Sequence, residues 1–410
     1  MPVKLDKVPA PLNAPATPRA WFWLLLLVVL LLAGVALALW LAGDDLAQQP
    51  DRFWLNGLGA PLVIWCVLGL LRVMAYAGES GVAEGWNDAR EEDMAQRIRR
   101  GRRSQQVLAV SLHTASRELG AENGDAQLAA LHGGHKVLTV QPDWQASEDG
   151  ARHSRLAYEQ GESPETLLRR VLRQVLGDIA QVLERLPDDQ PLALLLDMSS
   201  SLTDHTLNEL WQDVWAASGI RQPTTLIEGS GLSVVDGWLD QRIQDPALLL
   251  VVAFQLAPAD AQNTAEAVTG VLFGNRLTQT VLEPVAYLHR PEQERKPDAQ
   301  ALLDAARQAL DWVPVEASSI QHAWIAGADF NRTADISAAL SSLQILAERQ
   351  SGLHDLGTYL GNPDCAAAWV AVAASVESIR AEPTPHFVFS RGSTADARLW
   401  CSVVMPPSAG

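Results

Sequence analysis

Cysteine is scarce in this chain. There are three in 410 residues, Cys66, Cys365 and Cys401. Their number is odd and their spacing matches no metal motif, which excludes a disulfide framework and fits a reducing compartment. Positive charge is scarce too: 31 Lys and Arg stand against 48 Asp and Glu, a formal net charge of −17. A phosphate-binding surface needs clustered basic residues, so nucleic acid is excluded as a partner. Charged residues of both signs make up 19% and hydrophobic ones 48%. That balance permits a large core and a further, more apolar part, and the length allows about two to three domains.

The apolar part lies near the N-terminus. Trp21 to Ala42, WFWLLLLVVLLLAGVALALWLA, carries no charge. At about 1.5 Å per residue it crosses a hydrocarbon core of about 30 Å, and it is longer than the apolar region of a signal peptide. A second run, Phe53 to Ala77, has one charge, Arg72, near its end, where a long side chain can snorkel. Lys4, Lys7 and Arg19 precede the first run. Asp44, Asp45 and Asp51 lie between the two, against Arg52, and an arginine series follows the second. The positive-inside rule then predicts a hairpin in a bacterial inner membrane with both termini cytoplasmic. The next stretch reads as a helix with acids first and Arg97, Arg99, Arg100, Arg102 and Arg103 last. That order suits the helix macrodipole, and the arginines are candidates for holding anionic headgroups at the membrane surface. A solvated helix end is the plainer alternative.

From about Gln105 strands and helices alternate. VLAVSL, HKVLTVQPDW, PLALLLDM, TTLIEG, ALLLVVAFQL, EAVTGVLFGN, IQHAWIAG, HFVFSR and RLWCSVVMP read as strands. SPETLLRRVLRQVLGDIAQVLERL is an amphipathic helix with Ser163 as N-cap and Pro164 at its first position. LNELWQDVWAA, GLSVVDGWLDQRI, AQALLDAARQALDW, ISAALSSLQILAERQ and AAAWVAVAASVESI are further helices. Buried strands alternating with helices predict an α/β fold with helices on both faces of a sheet. The expected division is a tail at 1–20, a transmembrane hairpin at 21–77 with spans at about 21–42 and 53–77, and a basic helix at 78–104. A first α/β half follows at 105–290, a charged linker at 291–300 and a second half at 301–410. The similar element order of the halves hints at duplication.

Three stretches of this body stand out: GSGLSVVDGWLDQRI, IQHAWIAGAD and HDLGTYLGNPDCAAAW, with RGSTADARLWCSVVM as a closing glycine loop and strand. In this order the chain from about Gln105 onward resembles the thiolase-like fold of β-ketoacyl synthases. The resemblance implies a nucleophilic cysteine opening the first of these helices and a histidine in each of the next two loops. Here Gly229 and Ser230 stand at the first place, Ala326 near the second and Thr358 near the third. Condensation needs an activated nucleophile and donors for the thioester oxygen. Serine, alanine and threonine do not supply that set, so the resemblance implies a pseudoenzyme with no catalytic residues, cofactor or metal.

The whole layout is similar to a second family, the adaptors of phospholipase effectors of bacterial type VI secretion. It has an N-terminal hairpin, the connector GRRSQQVLAVSLHTA and a degenerate thiolase-like body. That resemblance implies a protein partner, a secreted lipase effector or the secretion spike. A homodimer is the form thiolase-like bodies commonly take. An acyl-thioester enzyme of condensing type with an altered site, or a structural membrane subunit, are the alternatives.

Plainer readings hold elsewhere. Ser230 lacks the spacing of a hydrolase elbow and reads as a helix cap, and Asp204 and His205 have nothing that places them beside it. His132 and His135 in HGGH read as a surface loop, because two glycines weaken a helix and no third ligand is evident. Asn331 fits a glycosylation pattern that a cytoplasmic bacterial domain does not use. Trp211, Trp215, Trp238, Trp312 and Trp369 read as packing residues.

Overall fold

The computed structural model of the chain describes residues 8–42, 50–121, 123–145, 150–348, 352–393 and 396–407. Lys4, Lys7, Asp44 and Asp45, which bear on the topology reading, lie outside the described residues. The chain forms two compact units, one over Lys4–Arg97 and one from Ile98 onward.

The first unit is helical. α1 (Ala20–Ala42) is followed by the short α2 (Pro50–Trp54), a π-helical turn over Leu55–Gly59, and α3 (Ala60–Gly101). Both long helices are long and apolar enough to cross a membrane. The second span from Ala60 onward and the basic helix, expected as separate segments, are one uninterrupted helix of 42 residues, while the first residues of that span fall in α2 and the π-helical turn. At 1.5 Å per residue it is about 63 Å long, twice a hydrocarbon core, so only its apolar half fits one. The basic helix ends earlier than expected, because Ser104 already belongs to a strand. α1 meets the π-helical turn through glycines: a Cβ on Gly34 would lie 2.5 Å from the Gly57 carbonyl oxygen. Small residues permit such an approach between apolar helices. The Trp65 indole N–H donates to the Trp23 carbonyl at 2.8 Å in the same unit.

The second unit is the α/β body. In chain order it contains β1 (Ser104–Thr114), α4 (Asp125–His132), β2 (Thr139–Gln141), β3 (Ala151–His153), α5 (Pro164–Leu183), β4 (Leu192–Ser200) and α6 (Asp204–Ala216). Then come β5 (Thr224–Ile227), α7 (Ser233–Gln241), β6 (Leu248–Leu256), β7 (Ala267–Asn275), β8 (Ala286–His289) and β9 (Glu292–Gln293). α8 (Ala299–Asp311), β10 (His322–Ala326), α9 (Phe330–Ser342), β11 (Leu353–Asp355), α10 (Leu356–Tyr359), α11 (Ala367–Ala381), β12 (His386–Ser393) and β13 (Asp396–Met405) complete it. β2 and β3 pair apart from the main sheet, so HKVLTVQPDW gives only a three-residue strand.

The main sheet runs β11-β10-β12-β13-β8-β1-β7-β6-β4-β5. It contains one pattern twice. β4 is parallel to β5 and β6, then β6-β7 and β7-β1 are antiparallel. β10 is likewise parallel to β11 and β12, then β12-β13 and β13-β8 are antiparallel. Helices repeat too: α5, α6 and α7 accompany the first set as α8, α9 and α11 accompany the second. β8 pairs with both β13 and β1 and joins the two sets edge to edge.

Alternate residues of β6 explain the layers. Leu250 and Val252 pack with α5, while Leu249 and Val251 pack with α7 and α11 on the opposite face. Buried on both faces, β6 has no polar alternation, as its sequence shows. α5 follows its predicted design: Ser163 Oγ accepts the Thr166 N–H, and Leu167, Val171, Val175 and Ile179 are buried. Each such side chain stabilises the fold by about 1.5–3 kcal/mol. α11 is buried nearly all round, from Ala367 to Ile379, and sits with α7 at the centre of the body.

The first part of the stretch expected as a linker, through Glu294, is part of the core, while residues 295–300 are exposed. Arg290, Glu292 and Glu294 are at most 1% exposed. Arg290 pairs with Asp236 at 2.7 Å and Asp240 at 2.8 Å on α7. Glu292 accepts the Trp312 indole N–H at 2.7 Å, and Glu294 accepts the Leu399 N–H at 2.8 Å and pairs with Arg332. Charge in sequence normally marks solvent; here each charge has a partner waiting in another element.

Candidate functional site

The two buried helices α7 and α11 begin at the same end of the body. Between their first turns sits Asp197 of β4, 7% exposed. Its Oδ2 accepts the backbone N–H of Gly231 at 2.9 Å and the indole N–H of Trp369 at 3.3 Å. The start of a helix favours negative charge, because its N–H groups lack partners there. Here a carboxylate built into the fold stands near both starts, holding the N–H of Gly231, just before the Leu232 cap, and an indole N–H, although burial still raises its pKa. Cys365 lies beside it in the 3-10 turn Asp364–Ala366, with Sγ 3.6 Å from the Phe254 carbonyl oxygen. Burial, then the charges of Asp197 and Asp364, push this thiol well above its ordinary pKa. A thiol held neutral is a poor nucleophile.

Ser230 precedes Gly231 and is half-buried. It does not cap α7, as its sequence position had suggested. Leu232 takes the cap position without a side-chain bond, and the Ser230 carbonyl accepts Ser233 Oγ–H at 2.6 Å. Gly231 has φ +53°, and a Cβ there would lie 2.9 Å from the Gly392 carbonyl oxygen in the β12–β13 region. Only glycine fits both conditions.

Ala326 ends β10 and is fully buried, paired in register with Ser390 of β12. Gly327 follows with φ +70°, and a Cβ on it would meet the Ala367 Cβ at 2.9 Å and the Asn362 Oδ1 at 3.6 Å. Thr358 is exposed on α10, where its hydroxyl donates to Asp355 Oδ2 at 2.9 Å. Gly327 and Thr358 line one open groove with Asp329, Phe330 and Asn362. Thr358 thus lines the groove, while Ala326 lies buried behind its neighbour Gly327 and is not among the lining residues. Ser230 stands near by, on the Gly392 side, but is not among the groove's lining residues. None of the described hydrogen bonds of Asp197, Cys365 or Thr358 involves a histidine.

Histidines gather elsewhere. His322 opens β10, four residues before Ala326 and so about 13 Å away along the strand. His354 of β11 packs its ring, tilted, against Trp324, ring centroids 4.3 Å apart, and its Nε2 is 3.1 Å from His322 Nδ1. His132, the last residue of α4, sets its ring 4.7 Å from that of His354 and places Nε2 2.9 Å from Ser378 Oγ. The three offer nitrogens that all lie within 4.8 Å of one another. His386 stacks on His322 at 4.9 Å, but its Nδ1 accepts the Trp324 indole N–H at 2.9 Å. Burial lowers all four, His354 to about 3 and His386 to about 2, which keeps the imidazoles neutral. The surface-loop reading of HGGH is thus corrected for His132, which a helix carries inward; His135 is exposed and outside the cluster. The sequence pairs His132 with the wrong neighbour, since its companions are 190 or more residues away.

The remaining candidates have structural settings. His205 pairs with Glu209 at 3.2 Å on the surface of α6. Asn331 lies in α9. Trp211 and Trp215 stack at 5.5 Å on α6, and Trp238, Trp312 and Trp369 are buried. Of the arginines, Arg97 pairs with Asp93 at 2.9 Å, while Arg99, Arg100 and Arg102 are exposed. Arg103 donates to the Leu239 carbonyl at 2.6 Å near the end of α7.

No family model matches the chain, and no curated protein matches it. Solved structures do. The ishigamide ketosynthase/chain length factor aligns with a TM-score of 0.55 at 13% identity, over 74% of this chain and 99% of that one. An oxazolomycin ketosynthase domain of Streptomyces albus JA3453 gives 0.49 at 14%, over 75% and 96%. The C-terminal type III polyketide synthase domain of Steely1 from Dictyostelium gives 0.47 at 10%, over 74% and 99%. At such identities the likeness concerns the fold alone, and on it the chain carries a mixed α/β body of thiolase-like fold behind an N-terminal apolar helix.

Proposed function

We propose that this protein is a thiolase-like pseudoenzyme, anchored in a bacterial inner membrane with both termini cytoplasmic, that serves as an adaptor for a type VI secretion effector of the phospholipase class. The observation that carries the reading is Asp197. At the head of α7, where a condensing enzyme needs a thiolate and room for an oxyanion, a buried carboxylate already holds the Gly231 N–H. The neighbouring thiol, Cys365, is pushed toward its neutral form. Among the described residues no hydrogen bond of Asp197 or Cys365 involves an imidazole, which supports the loss of condensing chemistry. A body kept folded without that chemistry is suited to binding. The groove beside Thr358 carries Phe330 at its edge, 89% exposed, an aromatic of the kind that anchors interfaces.

The test is co-purification of the full chain, in detergent, with a phospholipase effector encoded beside it. The expected result is a complex that Phe330→Asp weakens and that thermal denaturation shows is not an effect on folding. A complex that never forms with any such effector or with the spike overturns the adaptor reading. The second reading, an acyl-thioester enzyme with an altered site, has one observation in its favour, the thiolase-like fold itself. Acyl transfer from a thioester that disappears in Ser230→Ala or Cys365→Ala would establish it instead.

A further inference from the structure

We infer that His132, His322 and His354 form a binding site for one divalent transition-metal ion of the zinc class. The three come from different elements: the end of α4, the start of β10 and the middle of β11. A fold gathers three imidazoles, with their donor nitrogens within 4.8 Å of one another, against the cost of burying polar rings. Nothing in the condensing-site geometry uses them, since they sit at the opposite end of β10 from Ala326.

The donor set and setting fit a metal better than they fit packing. Imidazole is the ligand of zinc, copper, nickel and iron, and a carboxylate-free triad disfavours magnesium and calcium. The His322–His354 separation of 3.1 Å is close to the spacing of two nitrogens on one ion. A tetrahedral zinc with ligands at about 2.0–2.1 Å draws its nitrogens to about 3.4 Å, so the third ring moves in by roughly an ångström. Supporting contacts are in place. Ser378 Oγ fixes the His132 ring and Trp324 braces that of His354, as surrounding groups commonly do for metal histidines. His132 and His322 are only half-buried, so solvent reaches the edge of the cluster. His386 is committed to Trp324 and stays outside the set.

The experiment uses the tag-free full chain in detergent, stripped with a chelator and titrated with cobalt(II) as spectroscopic probe, then with zinc(II). The expected result is about one cobalt per chain, with the visible absorption of a low-coordinate centre, displaced by zinc. His322→Gln, at a half-exposed position, and His354→Gln should each weaken binding by about 100-fold or more. His135→Gln should leave it unchanged. Thermal unfolding of each variant separates lost ligands from lost fold: zinc should raise the wild-type transition and leave that of folded His322→Gln unmoved. Substoichiometric binding by the wild type, or binding that survives both ligand variants, overturns the site and leaves a stacked histidine cluster.

Discussion

The Asp197 carboxylate takes the backbone N–H of Gly231 at 2.9 Å, and Gly231 is the residue after Ser230, where a condensing enzyme would begin its nucleophile helix. The Trp369 indole reaches the same oxygen from α11, so one side chain closes both helix starts. Asp197→Ala leaves the Gly231 backbone N–H and an indole N–H unpaired in the core. It should cost about 1–3 kcal/mol per orphaned donor at most, read as a fall in the denaturation midpoint. Asp197→Asn keeps an acceptor and should cost less. Neither variant should gain acyl-transfer activity.

Arg290 offers a stronger stability test. It is fully buried just after β8 and pairs with Asp236 and Asp240 on α7. Removing one partner of a buried pair leaves the other charge unpaired, so Arg290→Ala should destabilise the body by about 3–5 kcal/mol. Restoring neutrality with Asp236→Asn and Asp240→Asn beside Arg290→Met should recover part of that loss. A loss no larger than that of an exposed arginine would remove Arg290 from the list of core contacts.

Acid should weaken the fold through His113 and His289. Burial, with Arg117 and Arg170 near His113 and Arg276 near His289, lowers them to about 3 and about 4. In the unfolded chain both titrate near 6.5, so below that pH the unfolded state holds more protons. Stability is therefore complete above about pH 6.5 and falls as pH drops toward the folded values, by up to about 1.4 kcal/mol per unit for each group. Denaturation midpoints across this window should show the slope, and His113→Gln, if folded, should flatten it. A midpoint independent of pH from about 4 to 6.5 would contradict the buried neutral state.

Much of this fold was legible in the sequence because its helices and strands obey simple patterns. α5 shows its apolar stripe and cap in plain sequence, and β6 shows an unbroken apolar run. What escaped was long-range pairing. β8 and β9 are too short to stand out, and the charges around them looked like a linker because Asp236, Trp312 and Arg332 are distant in sequence. α4 escaped because its glycine neighbours read as a loop, and with it went His132 and the histidine cluster. Asp197 escaped as well, since a lone acid ending the run PLALLLDM gives no hint that it will meet Gly231.

The membrane reading has its own test. A reporter fused at Gly410 should behave as cytoplasmic and one at Gln48 as periplasmic, given the arginines that follow the second apolar run. A periplasmic reporter at Gly410 would remove the cytoplasmic adaptor role together with the topology.

The most direct test of the central claim is a mass measurement. The purified full chain, incubated with acyl- and malonyl-thioesters, is digested and searched for acyl adducts on Ser230, Cys365 and Cys401. The proposed loss of the site predicts no adduct above that of the heat-denatured protein, and none in a Ser230→Cys, Ala326→His, Thr358→His variant, which keeps Asp197 as the acceptor of the Gly231 N–H. A stoichiometric acyl group on Ser230 or Cys365 of the wild type would contradict the claim and make this body an enzyme.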